Sequence, residues 1–250
     1  MLAFDLPGAP GPAECLAWDE ALLDAVEQGE CGPALWFWEA SVHGVVVGYG
    51  QSPAREVHLD ACRADQVPVL RRCSGGGTVV QGPGCLSYAV ALPIETHADL
   101  ETIQGTNAFV MARNRAAIQS LVTGVVDVRG HTDLVWNQRK VSGNAQRRKR
   151  RALLFHGTFL HALDLALVPR WLPQPSSQPA YRNDRPHSDF IANLPCSPRA
   201  IREALALHWE AAPGTPPPTA AARAQGLLSE RYSREAWHQG RRPDDPAPRA

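Results

Sequence analysis

None of the six cysteines (positions 15, 31, 62, 73, 85 and 196) shares a CxxC spacing, and none of the nine histidines sits in an HExxH pattern. Those absences exclude the usual zinc motifs and read as reduced thiols rather than a disulfide framework. A formal net charge of zero, from 25 basic and 25 acidic residues, removes any global electrostatic case for nucleic acid or an anionic membrane as partner. No run approaches the roughly 18 apolar residues of a membrane helix. Met1-Leu2-Ala3-Phe4-Asp5 lacks the basic start and apolar stretch of a signal peptide, so the expected compartment is cytoplasmic. Neither a P-loop nor a GxGxxG fingerprint occurs. Lysine is scarce as well: among the 25 Lys+Arg residues only Lys140 and Lys149 are lysine.

What is present suffices for one domain with a real core, since 44% of 250 residues are hydrophobic. Apolar positions at helical spacing (Leu16, Ala17, Ala21, Leu22, Ala25) predict a helix over 13–27, and Leu100, Ile103, Phe109, Met111 and Ile118 a long one over 97–121. Short β-rich runs at 34–39 and 42–48, joined across Ala40-Ser41, predict a hairpin. A turn and a helix are expected over 52–66. Strands are expected at 68–72, 78–80, 86–92, 125–128, 133–137, 140–147 and 153–161, the last three as an antiparallel meander. Prolines at 173, 175, 179, 186, 195 and 198 forbid long elements between 169 and 198. Helices over 198–209 and 220–232 follow. The fold class is α+β, with mixed and antiparallel sheets flanked by helices. One catalytic domain is expected over 1–240, with a frayed Pro- and charge-rich tail at 241–250.

Two segments carry the chemistry. In Arg71-Arg72-Cys73-Ser74-Gly75-Gly76-Gly77-Thr78-Val79, three glycines leave a turn without Cβ atoms, so backbone N–H groups can close onto an anion. The two arginines supply bidentate donors at its entrance. In Arg139-Lys140-Val141-Ser142-Gly143-Asn144-Ala145, a lysine persists in a chain that otherwise uses arginine. A compact ammonium is the simplest reason, because a guanidinium is wider, planar and not tunable in pKa.

The sequence resembles the lipoate–protein ligase A branch of the biotin/lipoyl ligase superfamily, from about Glu14 to Gly240. Gln51-Ser52-Pro53-Ala54-Arg55-Glu56 is similar to its Gln-x-Pro-x-x-Glu segment, and Arg71 to Val79 to its Arg-Arg-x-Ser-Gly-Gly-Gly-x-Val hallmark. Gly130-His131-Thr132-Asp133-Leu134 resembles Gly-Arg-Asn-Asp-Leu, and 140–145 the Lys-(hydrophobic)-Ser-Gly-Ser-Ala block. His156-Gly157-Thr158-Phe159-Leu160 is similar to His-Gly-Thr-Leu-Leu, and Tyr232 with Trp237-x-x-Gly240 to a closing Tyr…Trp-x-x-Gly element.

The resemblance implies a catalytic domain of the class II aminoacyl-tRNA synthetase and biotin ligase type. It implies activation of lipoate by ATP to lipoyl-AMP, then transfer to a lysine of a lipoyl carrier domain. Such carriers are 2-oxo acid dehydrogenase acyltransferase subunits or the glycine cleavage carrier protein. The implied catalytic cation is Lys140. The implied ligand-binding set is Arg71, Arg72, Ser74, Gly75, Gly76, Gly77, Val79, Gln81, Asp133, Ser142, Gly143, Asn144, Ala145, His156 and Gly157. Asp133 can orient a lysine, hold Mg2+ or cap a turn; His156 can serve structure as readily as chemistry. Gln81-Gly82-Pro83-Gly84-Cys85 departs from the family's His-x-x-Gly-Asn, which leaves lipoate against octanoate open. The chain leaves no room for the accessory domain of longer ligases, so a separate accessory subunit is an expected partner. The alternatives are an octanoyltransferase with a cysteine nucleophile, for which Pro195-Cys196-Ser197 is the faint candidate, and a non-catalytic acyl-binding relative. A biotin ligase lacks support because its Gly-Arg-Gly-Arg-x-Gly loop is missing. The basic run 147–151 is either a solvated hairpin turn or a cover for the same pocket.

Overall fold

The computed structural model describes residues 1–6, 8 and 10–240; the tail expected at 241–250 lies outside them. The fold is α+β. Eleven strands are described: β1 (Leu2–Asp5), β2 (Ala34–Trp38), β3 (Gly44–Val47), β4 (Val69–Arg71), β5 (Val79–Gln81), β6 (Cys85–Pro93), β7 (Val126–Arg129), β8 (Asp133–Trp136), β9 (Arg139–Arg148), β10 (Ala152–Leu160) and β11 (Ala212–Pro213). Eight form one mixed sheet in the order β11-β1-β2-β6-β10-β9-β8-β7, and three form a small one in the order β4-β3-β5. From β2 to β7 every pairing in the large sheet is antiparallel, including the predicted meander of β8, β9 and β10.

Alternation along the central strands explains how helices cover both faces. On β6, Leu86, Tyr88, Val90 and Leu92 join Phe155 and Phe159 of β10 under helices α2 (Ile103–Gln119) and α3 (Pro198–His208). The opposite face presents Ala89, Ala91, Ala152 and Leu154, mostly small, and α1 (Pro12–Glu27) lies against it with Leu22, Leu23 and Val26. Helix α4 (Pro218–Leu227) backs α1 through Ala220 and Ala224.

Two expectations need correction. The runs at 34–39 and 42–48 do form strands, but not a hairpin. β2 is buried along its whole length between β1 and β6, whereas β3 lies between β4 and β5 in the other sheet. The apolar pattern located the strands but carried no partner information. The helix expected over 97–121 begins only at Ile103, because Thr102 caps it by accepting from the Gly105 N–H at 3.0 Å. A Cβ at Gly105 would lie 2.3 Å from the Asp99 carbonyl oxygen, so glycine is needed where the preceding 3-10 turn folds back.

Candidate active site

The glycine loop is built by close backbone approach. Gly48 lies so near Gly76 that a Cβ at 48 would meet the Gly76 carbonyl oxygen at 2.0 Å. The Tyr49 N–H donates to the Ser74 carbonyl at 2.8 Å, and Gln51 accepts from Thr78 Oγ1 at 2.8 Å and from the Gly48 N–H at 3.3 Å. Arg72 forms the hub beneath. Its guanidinium donates to Ser74 Oγ and to the carbonyls of Val46, Gly75 and Gly77. Burial without a carboxylate partner lowers its pKa to about 10. Because C=O and N–H point oppositely across a trans peptide, holding the Gly75 and Gly77 carbonyls on Arg72 turns the N–H groups of Gly76 and Thr78 away from it. A positive φ of 87° at Gly76 completes a turn that presents donors to an anion.

Lys140 is set on β9 beside a bulge in its pairing with β8. Its Nζ lies 2.8 Å from Asp133 Oδ1, with the lysine side chain about a quarter exposed at 26%. Gly143 makes room for it, since a Cβ there would fall 2.8 Å from both Cε and Nζ of Lys140. The second oxygen of Asp133 accepts from the Tyr181 hydroxyl at 2.7 Å. Both oxygens of Asp133 are therefore engaged, one by Lys140 and the other by Tyr181.

Two cross-strand rows floor the cavity. In one, Tyr88, Gly157 and Asn144 lie side by side on β6, β10 and β9. Glycine in the middle lets the Tyr88 hydroxyl reach Asn144 Oδ1 at 2.7 Å; a Cβ at 157 would collide with that oxygen at 1.8 Å. Asn144 in turn donates to the Thr132 carbonyl at 2.6 Å. The other row places His156 on the α1 side. There its Nδ1–H donates to Asp19 Oδ2 at 2.7 Å, and its Nε2 accepts from the Ser74 hydroxyl at 2.5 Å. Asp19 also accepts from the indoles of Trp36 and Trp38, at 2.8 and 3.1 Å. Ser74 is fully buried, so the Asp–His–Ser order holds the loop to the sheet and offers no nucleophile.

Three cavities meet at Thr78 and Lys140. The first, against the sheet, is lined by Asp19, Trp38, Arg72, Gly77, Val79, Gln81, Tyr88, Asp133, Gly143, Asn144, Ala145, His156, Gly157 and Thr158. The second is mainly apolar and adds Ser142, Leu160, Leu172, Arg182, His187, Phe190 and Ile191. The third opens between Gly130–Thr132 and the proline-rich segment at 172–190. Ser74, Gly75 and Gly76 sit in the loop without lining the first cavity, and Arg71 turns away altogether. Its guanidinium donates to five carbonyls, those of Gly48, Tyr49, Gln51, Trp237 and His238. No residue of the basic run lines these cavities, and Arg147 lies over the Tyr49 ring at 5.4 Å, beside the loop. Arg148 is bound to Thr106 Oγ1 and the Leu100 carbonyl on the helical side, and Lys149 pairs with Asp24. Cys196 packs against the core with its thiol toward the Leu121 carbonyl at 3.8 Å, and burial pushes its pKa up. Asp19, Trp38, Tyr88, Thr158 and Tyr181 escaped sequence reasoning. The one available signal was the acidic pair Asp19-Glu20, set between the apolar runs 15–18 and 21–23 of helix α1.

The model of the lipoyl protein ligase A/B catalytic domain matches residues 11–194, so the chain belongs to that family. Octanoyltransferase LipM from Symbiobacterium thermophilum is 30% identical, over 94% of this chain and 96% of that protein. A putative lipoate-protein ligase A from Aeropyrum pernix is 31% identical over 62% of this chain. Against the latter and two similar curated relatives, the chain spans only 56%, 63% and 45% of their lengths. The bi-partite lipoate protein ligase of Thermoplasma acidophilum, studied with its E2 lipoyl domain, shares the fold with a TM-score of 0.79 at 20% identity, covering 98% of both chains.

Proposed function

We propose that the protein is an ATP-dependent lipoate–protein ligase. The observation that carries the reading is the content of the three cavities: an amine at their junction, a glycine loop beside it and, among the described residues, no thiol on any wall. An acyl-enzyme thioester needs a cysteine in reach of the acyl carbonyl; an adenylate needs a cation and backbone donors.

In this reading the acyl chain enters the first cavity between Trp38, Val79 and Tyr88. The nucleoside takes the cavity of Phe190, Ile191, Arg182 and His187, which offers an aromatic face and polar edges. Both reacting groups then meet at Lys140. The lipoate carboxylate attacks the α-phosphorus of ATP, the bond to pyrophosphate breaks, and Lys140 with the Gly76 and Thr78 N–H groups balances the charge on the non-bridging oxygens. The carrier lysine arrives through the third cavity as a neutral amine, attacks the anhydride carbonyl, and AMP leaves. The partner is a lipoyl carrier domain, in line with the E2 lipoyl domain studied with the Thermoplasma ligase. An accessory subunit is a further expected partner.

The competing reading is ATP-independent octanoyl transfer, favoured by the name of the Symbiobacterium relative. Lipoate-dependent ATP–pyrophosphate exchange tests the choice. The ligase reading predicts exchange that requires lipoate or octanoate; absence of exchange at millimolar substrates refutes it.

A further inference from the structure

We propose that Tyr181 is a positioning residue that aims Lys140 through Asp133, so that seating of the proline-rich segment and arming of the lysine are a single event. The segment at 172–192 crosses the mouth of the site with short turns only, yet it is fastened at both flanks. At one end the Ala192 N–H donates to the carbonyl of Lys140 itself at 2.9 Å. In the middle Arg185 donates to the Gln138 carbonyl at 3.0 Å, on the turn before β9. At the other end Ser176 donates its hydroxyl to the buried carboxylate of Glu56.

Between these anchors Tyr181 reaches inward. Its ring packs against Phe190 at a tilt of 38°, 5.3 Å between centroids, and covers Gly130, where a Cβ would meet Tyr181 Cε1 at 3.5 Å and Pro179 Cβ at 3.3 Å. The hydroxyl ends 2.7 Å from Asp133 Oδ2, while Lys140 holds Oδ1 at 2.8 Å. A carboxylate gripped at both oxygens has one orientation, and the ammonium it holds has one position. Burial and the Asp133 charge raise the Tyr181 pKa, which keeps the phenol protonated and a donor throughout the working range. If the segment lifts, Asp133 loses its second grip and is free to rotate, and the lysine loses its aim. Because the same segment lines the nucleoside cavity with Arg182, His187 and Phe190, occupancy there would steady the lysine.

The composition of the chain supplies a direct test. Only two lysines exist, so Lys149, paired with Asp24 far from the site, is an internal reference. Competitive trace labelling with acetic anhydride, read by peptide mass, gives the ratio of Lys140 to Lys149 reactivity. Tyr181→Phe keeps the ring and removes the hydroxyl. It should raise that ratio at least twofold, because a lysine whose carboxylate is free to rotate is seated less firmly against Asp133 and stands more open to the reagent. Asp133→Asn should raise it further, and the double variant should match Asp133→Asn alone. A rise of less than twofold in Tyr181→Phe, or effects that multiply in the double variant, would overturn the proposal. Labelling requires no turnover, so it judges Tyr181 separately from the ligase reading on which the kinetic consequence rests. In pyrophosphate exchange, that consequence is a fall in kcat for Tyr181→Phe with KM for lipoate unchanged; a change confined to KM would contradict it.

Discussion

The two sides of the glycine loop use their cations in opposite ways. Behind it, Arg71 spends its guanidinium on five carbonyls drawn from 48–51 and 237–238, and the contact is sealed in the reverse direction. The Trp237 indole donates to the Arg71 carbonyl at 2.9 Å, and His238 Nδ1 accepts from the Arg71 N–H at 3.0 Å. In front of it, Lys140 has a single carboxylate and remains partly open to the cavities. A planar, always-charged group with fixed donors suits a clamp that never lets go. A point charge on a flexible stem suits a group that must follow a phosphate through a reaction. The adjacent Arg72 stands between these roles, buried and tied to the loop, yet on the cavity wall.

The comparison can be broken most severely at Lys140. Lys140→Arg should melt within a degree or two of the parent but lose adenylation by about 100-fold or more, since a misplaced donor at the developing charge is worth roughly that much. Retained pyrophosphate exchange would show that any cation serves. On the clamp side the expected effect is on stability. Arg71→Met should destabilise by about 3–5 kcal/mol in denaturant melts, because five carbonyls lose their donor together, and a loss below about 1 kcal/mol would demote the clamp. Gly157→Ala tests the row beneath both. Its Cβ would displace Asn144 from Tyr88, for which overpacking of this kind costs about 2 kcal/mol, visible as a lowered Tm.

A smaller effect follows from pH. Burial lowers the pKa of His238 below its ordinary 6.5, where the neutral ring accepts from Arg71 and donates to the Tyr232 carbonyl. Above that value neither the folded nor the unfolded ring binds a proton, and stability is complete. As pH falls from 6.5, the unfolded chain takes up the proton first and stability declines until the folded ring titrates. Tm should therefore drop as pH falls below 6.5, and His238→Gln should flatten part of the slope. His187, lowered by burial as well, accounts for another part. The smallest effect is reserved for the basic hairpin. Neutralising Arg148, Lys149 and Arg150 together should leave the apparent KM for a carrier domain within twofold, because the first two are committed to Thr106 and Asp24.

The glycine loop and the lysine strand were legible because each depends on residue types that few other uses require: glycines at close backbone approaches and a lysine kept among arginines. The division of labour between Arg71 and Arg72 was not legible. Neighbours on a strand point to opposite faces, and only the packing of 237–240 decides which face is the rear. Asp19 and Tyr181 were invisible for the same reason, since each reaches the site from an element more than a hundred residues, or close to fifty, away along the chain from its partner. The false hairpin at 34–48 shows the limit from the other direction, because alternation identifies a strand without naming the sheet that receives it.

The claim that an amine and no thiol governs this site is tested most directly by offering one apo lipoyl domain two acyl donors in parallel and weighing both proteins intact. With free lipoate and ATP, the carrier should gain one lipoyl group, the Lys140→Arg enzyme should fail, and the enzyme itself should stay at its own mass. Acyl transfer from an octanoyl-carrier without ATP, with a thioester trapped on the enzyme, would contradict the account.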